Sequence, residues 1–107
     1  MAYKTAHFKT AYLQREVVMD VKVATELKVG ALCSYAAATG STPATITGVE
    51  TVAAAHYIVA QSDMTLEYGH VPVENRNYAY SNVVAASTAP KRVALFKIID
   101  PDDVELD

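Results

Sequence analysis

The residues of this chain that could do chemistry are three histidines (His7, His56 and His70), one cysteine (Cys33) and a scatter of serines and carboxylates. Metal ligation needs side chains brought to one point, and the short spacing that does this on a helix, His-Glu-x-x-His, is absent. His56 sits in the apolar run His56-Tyr57-Ile58-Val59-Ala60-Gln61, where a hydrogen-bonded core histidine is the ordinary occupant. His70 follows Gly69 and precedes Pro72, a turn position. A single cysteine excludes an intrachain disulfide and a cysteine-based zinc site. Around Cys33, in Ala31-Leu32-Cys33-Ser34-Tyr35, no cation or helix start lowers the thiol pKa, so it reads as a small buried hydrophobe.

Nucleophilic catalysis by serine would ask for a Gly-x-Ser-x-Gly elbow, which the chain lacks. Its four glycines are unclustered, which excludes the phosphate-cradling loops of P-loop and dinucleotide-binding proteins. Paired carboxylates of the glycosidase kind cannot be singled out, because the densest acids lie in the terminal run 100–107, where solvation is the default. The reading is therefore a non-enzymatic protein without catalytic residues, metal or cofactor.

Seven tyrosines are the more telling feature, since a tyrosine ring is apolar while its hydroxyl stays satisfied in a half-buried contact. Tyr78-Ala79-Tyr80 puts two rings on one face of an extended segment. Tyr3, Phe8 and Tyr12 recur near the N-terminus among Lys4, Lys9 and Arg15. These five aromatics, Tyr3, Phe8, Tyr12, Tyr78 and Tyr80, are the candidate interface. Residues 1–16 show neither a cap nor a clear alternation, so they are an arm reaching to a neighbouring subunit or a first strand. Opposite in sign stands the acidic tail, with Asp100, Asp102, Asp103, Glu105 and Asp107. The tail of a sister copy is one partner for the basic arm.

The elements that must position these residues are strands. Valine, isoleucine and threonine supply 28 of the 107 residues, and their branched side chains pack better on a pleated surface than in a helix. Val17, Met19, Val21 and Val23 alternate with Val18, Asp20 and Lys22, the pattern of a half-buried strand. Residues 31–37 form a second strand, ended by the turn Thr39-Gly40-Ser41-Thr42-Pro43; Ala44-Thr45-Ile46-Thr47 resumes and breaks near Gly48. A short strand covers 56–61, with a helix over 50–60 as the competing reading. Val71-Pro72-Val73 is extended but cannot be central, because Pro72 has no ladder donor. Glu74-Asn75-Arg76-Asn77 is turn-like and 85–89 a loop. Residues 91–99 are apolar on both faces, as in a central strand. The core draws on Val21, Val23, Leu32, Ile46, Ile58, Val93, Leu95 and Ile98. Short strands with turns every 8–12 residues make an all-β fold: a small β-sandwich or β-barrel, with 17–107 as a single domain and an extended N-terminal segment.

Size and charge set the outer bounds. A chain of 107 residues buries one core without staples. The net charge of −3 argues against nucleic acid, and no apolar stretch is long enough for a membrane span or a secretory signal, so the expectation is a soluble protein made in the cytoplasm.

Three segments together carry a family resemblance. Leu27-Lys28-Val29-Gly30-Ala31-Leu32 is similar to the turn that opens a strand in small capsid decoration, or cement, proteins of tailed bacteriophages. The run from His56 through Ser62-Asp63 to Thr65 resembles their Tyr-Ile-x-Ala-Gln-Ser-Asp segment, and Lys91 to Asp100 looks like their final strand. The likeness spans about 17–104 and rests on order and spacing. It implies a β-rich, non-catalytic homo-oligomer on the outer surface of a virion, with the major capsid protein as partner. The alternative is an adhesive head-fibre or carbohydrate-binding module, whose mark would be a concavity gathering tyrosines with a carboxylate.

Overall fold

In strand β2, Arg15–Val23, alternation does what the sequence asks: Val21 and Val23 are buried and Val17 and Met19 half-buried, while Glu16, Val18 and Asp20 face out. The computed structural model describes residues 3–10, 15–61 and 83–107. The expectations for Tyr12, His70, the Val71-Pro72-Val73 segment, the 74–77 turn, Tyr78 and Tyr80 lie outside them.

The other strands are β1 (Ala6–Phe8), β3 (Leu27–Lys28), β4 (Leu32–Ala36), β5 (Thr45–Gly48), β6 (Tyr57–Val59), β7 (Val83–Val84), β8 (Lys91–Lys97) and β9 (Val104–Leu106). Five of them close a barrel in the order β2-β5-β4-β6-β8, with β8 returning to β2. Only the β2–β5 contact is parallel; the other four are antiparallel. The fold is all-β, and of sandwich and barrel it is the barrel. β8 pairs with β2 along its whole length and with β6 at its C-terminal half, which makes it central as expected. Where helix competed with strand over 50–60, both short forms occur: a single 3-10 turn at Val52–Ala54, then β6.

Two apolar layers hold this together. Val21, Val23, Cys33, Ile46, Val59, Val93 and Leu95 fill the barrel, with Leu27 and Val84 from the β3–β7 pair. Leu32, Ile58 and Phe96 point the other way, adjacent in register across β4, β6 and β8. Such an outward apolar row would be a liability in water. It is covered by the antiparallel β1–β9 ribbon, through Ala6, Phe8 and Val104. This covering explains why 91–99 is apolar on both faces. Ile98 is half-buried in this outer layer, so it is a margin residue; the other expected core positions are buried.

Two glycines serve the geometry. Gly30 has φ +91°, a left-handed conformation open to glycine, and there the Ala31 amide donates to Lys28 O before β4 begins. Gly48 faces inward, where a Cβ would lie 2.8 Å from Tyr3 Cβ and 2.9 Å from Leu27 Cδ2.

Candidate functional site

Inward-facing parity along β4, β6 and β8 runs Cys33–Tyr35, Tyr57–Val59 and Val93–Leu95–Lys97. Cys33, Val59, Val93 and Leu95 lie in the core, while Tyr35, Tyr57 and Lys97 stand near the ends of their strands, at the barrel mouth. Tyr57 stands opposite Lys97 in register, and the rings of Tyr35 and Tyr57 meet edge to face at 5.9 Å. With His56, Ile98 and Ile99 they line a cleft of about 260 Å³.

The backbone here is tied on both sides. The His56 amide donates to Cys33 O at 2.9 Å, and the Ile98 amide donates to His56 O at 3.1 Å. His56 Nδ1 accepts the Tyr35 amide at 3.0 Å, so the neutral ring carries its proton on Nε2. His56 is thus hydrogen-bonded, as expected, but its ring is exposed, because it sits just before β6 and outside the barrel wall. Beneath the mouth, Cys33 is fully buried and its Sγ donates to Tyr57 O at 3.6 Å. Burial pushes the thiol up to about 12, so the neutral thiol dominates and the residue is a core hydrophobe. Among the described residues no group of histidines, cysteines and carboxylates could hold a metal ion.

The expected interface aromatics fall elsewhere. Tyr3 is a correction: only 8% exposed, it enters the barrel beside Gly48, and its hydroxyl accepts the Lys28 amide at 3.2 Å. Phe8 is half-buried, edge to face with Phe96 at 6.0 Å between ring centroids. Residues 3–10 therefore pack as part of the domain, and β1 is its first strand.

The acidic tail is likewise built in. Its partner is the N-terminal segment of the same chain, through β1–β9 pairing. Asp103 is 7% exposed and its Oδ1 accepts from the Thr10 amide at 3.0 Å and the Thr10 hydroxyl at 2.7 Å. Farther out, His7 Nδ1 meets Asp107 Oδ1 at 2.7 Å on the surface. The hydrogen bond from His7, aided by one from Thr5, holds the Asp107 carboxyl below its ordinary value.

The barrel seam supplies one more surface. β5 pairs with β2 only at Lys22 and Val23, while β8 takes the other edge of β2 from Arg15 to Val21. The Lys22 amide donates towards β5, to Ala44 O, and peptide groups alternate in direction along a strand. The peptide groups of Glu16, Val18 and Asp20 therefore face the same seam, where no other described strand pairs with them. The Val18 side chain beside it is 56% exposed.

Sequence reasoning missed Tyr35 and Tyr57 as a pair. Cys33 and Tyr35 are legibly on one face of a strand, but the meeting of Tyr57 with Lys97 depends on the β6–β8 register, which has no local signal. No family model matches this chain, and neither does any curated protein or solved structure.

Proposed function

We propose that this chain is a non-enzymatic structural protein of a virion, which binds the outer surface of a viral capsid as a homo-oligomer and stabilises it. The single observation that carries the reading is the seam of β2, where no other described strand pairs with Glu16, Val18 and Asp20. A strand edge left unpaired among the described residues, beside an exposed valine, is a template for another chain, and soluble proteins usually cover or charge such edges. The seam supports a role in docking, and the likeness of three segments to phage decoration proteins supports the shell as what is docked upon. Many copies on a regular lattice convert a modest contact into stable attachment.

Co-sedimentation of the purified protein with procapsids and with expanded shells tests this. Saturable binding at a fixed copy number per capsid subunit is expected, and a protein that stays in the supernatant with both shells sinks the reading. Val18→Lys tests the seam itself. The side chain is outward, so stability should stay within about ±0.5 kcal/mol, while a lysine on the edge should weaken self-association or shell binding. Unchanged assembly and binding would remove the seam from the interface. The rival carbohydrate module predicts aromatic residues gathered with a carboxylate. The mouth gathers two tyrosines, but among the described residues its lining has no carboxylate.

A further inference from the structure

The side chains of the barrel mouth share one chemical bias. Lys97 offers an ammonium, neutral His56 offers Nε2–H because Nδ1 is occupied, and Tyr35 and Tyr57 offer hydroxyls. Ala55, Ile98, Ile99 and Pro101 supply the apolar part of the wall. Donors and one positive charge around an apolar floor complement a carboxylate carried on an aliphatic stem. At about 260 Å³ the cleft is smaller than most drug-sized ligand pockets, which start near ~300 Å³, and suits one or two side chains. All of its polar groups sit on paired strands or next to them, so little ordering is required on binding.

We propose that this mouth is a socket for an acidic side chain, glutamate or aspartate with an adjoining apolar residue, in a segment of a partner polypeptide. Charge favours such a segment over a nucleic acid or another polyanion. Asp100 and Asp102 are exposed on either side of Pro101, which lines the cleft, and the chain as a whole carries −3. These carboxylates repel a run of phosphates more strongly than a single acid directed at Lys97. A glycan would need acceptors that the lining side chains do not provide beyond the tyrosine oxygens. The socket deepens the capsid-docking reading by naming the partner's chemistry, and it rests on that reading only for who the partner is.

The test is a titration of the ¹⁵N-labelled protein with the blocked peptide acetyl-Leu-Glu-Ala-amide, its glutamine counterpart, and inorganic phosphate. The glutamate peptide should shift the amides of His56, Tyr57, Lys97 and Ile98 in a saturable way. The glutamine peptide should bind about tenfold more weakly, as when a charge-assisted pair becomes neutral. Lys97→Gln, at an exposed position, should lose the same factor for the glutamate peptide while keeping a dispersed spectrum. Equal binding of the two peptides, shifts mapping away from the mouth, or no saturable shift overturns the socket. Phosphate binding as tightly as the glutamate peptide overturns its specificity for a carboxylate segment. Because the titration uses no shells, a protein that binds the peptide but no capsid would retain the socket and lose the capsid reading.

Discussion

The barrel interior and the terminal ribbon are built by different routes from the same kind of residue. Inside the barrel, Val21, Val23, Cys33, Ile46, Val59, Val93 and Leu95 come from the five strands of the closed sheet, so the burial of Val21 or Leu95 follows from a ladder that already exists. In the ribbon, β1 and β9 are three residues each and come from opposite ends of the described chain. They stay in place because Ala6, Phe8 and Val104 cover Leu32, Ile58 and Phe96, and because Tyr3 passes inward beside Gly48. Sequence-local alternation builds the first region, and long-range packing builds the second.

If the ribbon belongs to the domain, removing Tyr3 should cost as much as removing a barrel residue. Tyr3→Ala should lose about 3–5 kcal/mol by chemical denaturation, the range for a large buried aromatic. Deleting residues 2–12 should go further and unfold the protein, with loss of its near-ultraviolet signal. A truncated protein that melts like the full chain would return residues 3–10 to the status of an arm. Leu95→Ala, at the centre of the barrel, should cost about 2–5 kcal/mol, and an unchanged melting temperature would displace β8 from the core. Gly48→Ala probes the junction of the two regions. The added methyl meets Tyr3 and Leu27, so overpacking of about 1–3 kcal/mol is expected. Pairing it with Tyr3→Ala should relieve most of that penalty, and strictly additive costs would mean that Tyr3 does not fill this space.

How much of this was legible follows from the same contrast. β2 is legible from alternation, and β8 from a run that is apolar on both faces. Barrel closure is not, because choosing it over a sandwich depends on β2 pairing with both β5 and β8, contacts across many residues with no local mark. Tyr3 misleads for a physical reason: its segment is held by Tyr3 inside the barrel and by Ala6 and Phe8 outside it, two separate layers with no common period. The basic head and acidic tail were visible as charges, but that they pair within one chain is a matter of topology. The mouth was the least legible, because His56, Tyr57 and Lys97 meet only through register.

The smallest effect expected is electrostatic and separates the two regions by pH. Asp107 is exposed, and its carboxyl is held low first by the hydrogen bond from His7, then by one from Thr5. A carboxyl whose folded pKa lies below its unfolded value near ~3.9 adds stability that is present above that value and lost as pH falls through the folded one. Asp107→Asn should therefore melt slightly below the native protein at neutral pH, and the difference should close as the solution is acidified below pH ~4. Salt should narrow it as well, since the pair is on the surface. Leu95→Ala removes only apolar contacts, so its deficit should stay constant over the same pH range for as long as both proteins fold. Parallel thermal melts of the three proteins across that range decide the matter. A gap for Asp107→Asn that persists at low pH would mean that the residue holds the ribbon by packing rather than by charge.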